Sequence, residues 1–126
     1  APLVAGSRLS SFLIHYLCCE VAARLLQGMF HDAAPLDVLE SREPVRLQVL
    51  EAALRPYHPR TDRATLYRLF YAKDAPGQPD SARRLREKVI HSLNIATITG
   101  IETRADSLIA DMRSFLRDVE RITDML

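Results

Sequence analysis

Apolar positions recur along the chain at intervals of three and four and nowhere alternate over a useful length. That is the period of helices packed by one face, and no Asn-Gly or Asp-Gly hairpin turn interrupts it. The first helix is predicted from about Ser7 to Met29, with Leu9, Phe12, Leu13, Tyr16, Leu17, Val21, Leu25 and Leu26 on a wide inner face. "HDAAP" ends it, and a short helical turn is expected over Leu36 to Glu40. Pro44 suits the first position of a second helix, with Ser41 or Glu43 near the cap and Val45, Leu47, Val49, Leu50 and Leu54 along it. "RPYHPR" stops that helix, because Pro56 and Pro59 push the residues before them toward extended conformations. Thr61 or Asp62 then caps a third helix, "RATLYRLFYAK". "DAPGQPD" is the clearest loop, and Pro79 and Asp80 open a fourth helix.

The last helix carries the most regular pattern. Thr99 and Glu102 stand at capping-box spacing, each able to satisfy the other's free amide. Ile101, Ala105, Leu108, Met112, Phe115, Val119, Ile122 and Leu126 follow in strict alternation of four and three. So narrow a seam fits an antiparallel neighbour in a bundle or a dimer partner. The predicted fold class is all-α, an up-and-down bundle of four to five helices with a long C-terminal helix. Residues 1–126 form a single helical domain, with 1–7 expected to be disordered or the remnant of a longer chain.

Composition narrows the function classes. Apolar residues make up 48% and charged residues 26% of 126 residues, as in a globular domain able to bury a core. A net charge of +1 excludes strong global attraction to nucleic acid, so only a local patch could bind it. Cys18 and Cys19 are adjacent, and helical neighbours diverge by about 100°, which argues against a disulfide between them. They read as small apolar residues of a reducing, cytoplasmic compartment. The most apolar run, "FLIHYLCCEVAARLL", is shorter than a bilayer span and contains Glu20 and Arg24. It reads as a buried helix, with no membrane partner, and no signal-peptide layout is clear.

Most enzyme signatures are absent. There is no Walker loop, GxGxxG, GxSxG or HExxH, and no ExxH pairing of a di-iron bundle, so no cofactor or metal is expected. Glu20, Glu40, Glu43, Glu51, Asp62 and the later acids read as solvated. His15 reads as a core or interface histidine, His31 and His58 as surface residues, and Tyr67, Phe70 and Tyr71 as a core-facing stripe.

What remains is "RRLREKVIHSLN", Arg83 to Asn94, which joins Arg83, Arg84, Arg86, Lys88 and His91 on one predicted helix. As scaffold, it is the solvated face of a helix whose inner face is Leu85, Val89, Ile90 and Leu93. As chemistry, guanidinium can grip phosphate through paired hydrogen bonds, and imidazole can move a proton near neutral pH. Together they could cleave RNA without a metal, histidine acting on the ribose 2′-hydroxyl or the leaving oxygen and arginine on the phosphoryl charge.

This stretch, followed by a short linker and a long amphipathic last helix, resembles the HEPN domains. Arg86 and His91 match their Arg, four to six residues, His signature, and an apolar, Glu-containing helix opens the chain as theirs does. The spacing also occurs at Arg8–His15, Arg24–His31 and Arg84–His91, but only His91 precedes the last helix. The resemblance implies an all-helical homodimer, a toxin–antitoxin or defence setting with RNA and a protein partner or antitoxin, and metal-independent RNA cleavage. It implies catalysis by Arg86 and His91, with Arg83, Arg84, Lys88 and Asn94 binding RNA. Glu87 departs from the pattern, since active members carry a polar residue, often asparagine, after the arginine. The alternative is a non-enzymatic interaction or regulatory module that dimerises through its first or last helix.

Overall fold

The computed structural model describes residues 2–32, 34–41, 43–73, 76–92 and 94–126, with side chains from residue 8 onward. Among these residues are six α-helices and no strand. They are α1 (Pro2–Phe30), α2 (Pro35–Glu40), α3 (Leu47–Leu54), α4 (Arg63–Phe70), α5 (Ala82–His91) and α6 (Ile95–Met125), with a 3-10 turn at Arg55–Tyr57. The fold is all-α with a long C-terminal helix.

α1 and α6 form its spine. α6 buries Ile101, Ala105, Leu108, Met112, Phe115 and Ile122, the predicted seam, while Leu126 at its end is exposed. α1 answers with Phe12, Tyr16, Cys19, Ala23 and Leu26, also spaced by fours and threes. Cys19, Ala23 and Ala105 let the two backbones approach closely, and the Cys19 thiol reaches the Met112 carbonyl at 3.6 Å. Burial, with Cys18 beside it, pushes that thiol's pKa up to about 12, so it is an unreactive apolar group.

Contacts along the spine keep the same order on both helices. Arg8 meets Asp106, Cys19 meets Met112, and Leu26 and Met29 share a groove with Val119 and Ile122. The neighbour of the seam is therefore parallel, where an antiparallel one was expected. A parallel pair needs a crossover, and α2 to α5 supply it. α5 then runs back against both, from Asp80 beside Arg104 to the start of α6.

Several local expectations change. α6 begins four residues before the predicted capping box: the Asn94 side chain caps it, accepting from the Thr97 amide at 2.7 Å. Thr99 lies inside the helix and its carbonyl accepts from Thr103. Leu17, placed on the inner face by sequence, is 57% exposed, because the closer-fitting Cys19 and Ala23 take the seam. Ile90 is 61% exposed for the same kind of reason, being off the Ala82–Leu85–Val89 stripe. Leu93 lies outside the described residues. α1 begins at Pro2, ahead of the expected start near Ser7, and Arg8–Phe30 is long and apolar enough to span a membrane by length and composition, though its inner stripe is packed on α6.

Buried polar groups lock the crossover. Gln27, nearly inaccessible, donates to the Pro44 carbonyl at 3.2 Å and accepts from the Arg46 amide at 2.8 Å. Arg24 donates to the carbonyls of Val38 and Ser41. Gly28 is required at the α1–α2 contact, where an added Cβ would fall 2.1 Å from a Val38 methyl. Asp118, expected to be solvated, is 2% exposed. It accepts from the Thr61 hydroxyl and amide at 2.5 and 2.7 Å and from the Arg60 amide at 3.1 Å, tying the start of α4 to α6.

Candidate functional site

α5 starts where the Ser81 hydroxyl accepts from the Arg84 amide at 3.1 Å, and Asp62 caps α4 in the same way. Ala82, Leu85 and Val89 pack inward, which puts the four cations on the flanks. Each is met by a carboxylate. Arg83 lies 3.5 Å from Glu87 and donates to the Val45 carbonyl at 3.2 Å. Arg84 lies 3.6 Å from the same Glu87, and Lys88 is 2.6 Å from Asp80. Arg86 reaches across to Glu20 of α1 at 4.0 Å, the longest of these contacts. Four cations thus face three carboxylates, and the local field is far weaker than the sequence tract suggested. Glu87 is itself held by two arginines, so its repulsion of an approaching phosphate is reduced.

His91 is the last residue of α5 and is exposed. It lies on the stripe of Arg84 and Glu87, whereas Arg86 shares its stripe with Arg83 and Ile90; residues five apart diverge by about 140°. Within one chain, then, α5 does not bring Arg86 and His91 onto one face. Asn94 lies beyond the end of α5 and spends its side-chain oxygen on the α6 cap.

Tyr16, expected only as part of the inner face of the first helix, is indeed buried. Its ring is buried against Phe70, and its hydroxyl has no hydrogen-bond partner. Glu20, Arg83, Arg86 and Glu87 lie within electrostatic range of the hydroxyl. Burial above all raises its pKa, Glu20 and Glu87 add to that, and Arg83 and Arg86 oppose it. The hydroxyl stays protonated. A buried tyrosine among aliphatic residues gives no sequence signal of this, because Glu20 and Arg86 are far apart in the chain. An open groove of about 560 Å³ is lined by the carboxylates Glu20, Glu40 and Glu43 and the guanidinium groups of Arg24, Arg83 and Arg86, among others.

The aromatic stripe of α4 also divides. Phe70 is core, in edge contact with Phe115, but Tyr67 is exposed and Tyr71 half-buried. Phe70 therefore fills the core alone, and its two tyrosine neighbours line a surface cavity. Among the described residues no three His, Cys, Asp or Glu side chains are grouped to hold a metal ion.

No protein-family model, curated protein or solved structure matches the chain.

Proposed function

We propose that the chain is a cytoplasmic, HEPN-like RNA-binding domain that acts as a homodimer and cleaves RNA without a metal, with His91 moving the proton and Arg86 on the phosphate. The exposure of His91 at the end of α5 carries this reading, since a general acid–base must reach its substrate. Ile14 and Leu17 on α1 and Ile90 on α5 are exposed, and helical spacing sets Leu17 on the stripe of Glu20 and Ile90 on that of Arg86, which offers an apolar face for a second copy. A two-fold axis there sets two Arg86 and two His91 around one cleft and answers the divergence of the pair on a single helix. In this arrangement phosphate replaces Glu20 on Arg86, a modest exchange for a partly exposed contact at 4.0 Å.

The second reading, a non-enzymatic helical module that pairs through its first helix, draws on the same face. The last-helix route has little left to offer, because α1 fills the α6 seam within one chain. The deciding experiment is cleavage of bulk RNA in EDTA by wild type, His91→Ala and Arg86→Ala, with mass in solution measured for each. Cleavage that survives chelation and disappears in both dimeric variants supports the nuclease. A dimeric wild type that leaves RNA intact supports the module. Loss of the dimer in Leu17→Arg tests the shared face.

A further inference from the structure

A cavity of about 460 Å³ lies between α4, the segment before α5 and the first third of α6. Its size is that of a small-ligand site. Tyr67 and Tyr71 form one wall, with ring centroids 5.3 Å apart and planes inclined by 30°. Arg63 already lies over Tyr67 at 5.5 Å, so the aromatic surface left for a ligand is chiefly that of Tyr71.

The charges in this wall differ from those on α5. Arg68 is spent on Asp111, at 2.9 and 3.3 Å, and Asp80 is spent on Lys88 at 2.6 Å. That leaves Arg104 and Lys73. Arg104 is half-buried and donates only to the Asp80 main-chain carbonyl at 2.5 Å; among the described residues it closes no ion pair. Burial lowers its pKa, with Asp80 and Asp111 opposing, yet a guanidinium remains charged. A desolvated cation of this kind gains from an anion that replaces its lost water. Lys73 is exposed at the rim, and the capped start of α5, at Ser81, adds its amide dipoles to the same side.

We infer that this cavity binds a nucleoside monophosphate or a closely similar aromatic phosphate, the ring packed on Tyr71 and the phosphate held by Arg104 and Lys73. An aromatic wall and a cationic floor within one cavity match the two halves of such a ligand, and neither half is taken up by the Arg86–His91 reading. The inference is independent of that reading, since no residue is shared.

Titration calorimetry with adenosine 5′-monophosphate, adenosine and inorganic phosphate tests it on the intact chain. The expected result is saturable binding of the monophosphate, at least tenfold weaker binding of either half, and loss of about tenfold in Tyr71→Ala and in Arg104→Gln. Lys73→Glu, at an exposed position, weakens binding without touching the fold. Three results overturn the inference: no heat up to millimolar ligand, phosphate alone binding as tightly as the nucleotide, or equal affinity in folded Tyr71→Ala and Lys73→Glu.

Discussion

Two buried polar groups sit at opposite ends of the design logic. Asp118 of α6 is a charge sunk in the core with a hydroxyl and two amides donating to it and Arg121 at 3.6 Å. Tyr16 of α1 is equally buried, yet its hydroxyl donates to nothing, beside two arginines and two glutamates that are occupied with one another. The first junction is complete: the carboxylate closes a turn whose His58 adopts a left-handed backbone, and Arg121 adds bonds to the carbonyls of Tyr57 and His58. The second is incomplete, and it underlies the exposed face of α1 and α5. Satisfied buried polar groups hold a fold together, whereas an unsatisfied one costs stability and marks where another role competes.

The contrast can be broken first at Asp118. Asp118→Ala leaves the Thr61 and Arg60 amides without acceptors and is expected to cost about 3 kcal/mol or more, read by denaturant unfolding. A loss below about 1 kcal/mol would mean the turn at residues 57–61 is held by other means.

Acid sharpens the same point. Burial would raise the Asp118 carboxyl, but the Thr61 hydroxyl, the two amides and Arg121 together bring it below its ordinary 3.8. A carboxyl that is more acidic folded than unfolded stabilises fully above its unfolded value and less as pH falls through the lower folded one. Wild type should therefore lose stability below about pH 4, and Asp118→Asn should show a flatter acid limb in melting temperature against pH.

Tyr16 should behave in the opposite sense. Tyr16→Phe removes a hydroxyl that bonds to nothing and keeps the ring against Phe70, so stability should hold or rise by up to about 1 kcal/mol. A clear loss in thermal unfolding would show that the hydroxyl is satisfied in solution.

The smallest effect is expected at the Arg86–Glu20 contact. Both side chains are partly exposed and 4.0 Å apart, so Glu20→Gln should change stability by less than about 1 kcal/mol. It should also release Arg86, so RNA affinity in a filter-binding titration should rise under the proposed function.

Particular residues show how far local pattern reaches. The α6 seam from Ile101 to Ile122 was readable because a helix buries one face, and spacing alone names that face. The cap of α4 was readable from residue type as Thr61 or Asp62, and the structure uses Asp62. The start of α6 was misplaced because Thr99 and Glu102 imitate a capping box, while the Asn94 side chain accepts from the Thr97 amide and starts the helix at Ile95, four residues earlier. Asp118 looked like one more surface acid, since nothing near it in sequence indicates that Thr61 would be its partner. Of the candidate site, the residue types of α5 were legible, but not their neutralisation by Glu20 and Asp80, nor the Tyr16 hydroxyl beneath them.

The amino-acid order by itself determined that this protein is helical, which face its last helix buries, and where its proline-rich breaks fall, because each follows from backbone preference and spacing within a few residues. Only the tertiary structure decided that α1 and α6 run parallel, that α5 turns Arg86 to Glu20 and leaves His91 in solvent, and that Tyr71 and Arg104 share a cavity. Those outcomes depend on contacts between residues dozens of positions apart, and periodicity within one helix carries no term for which helix it will meet.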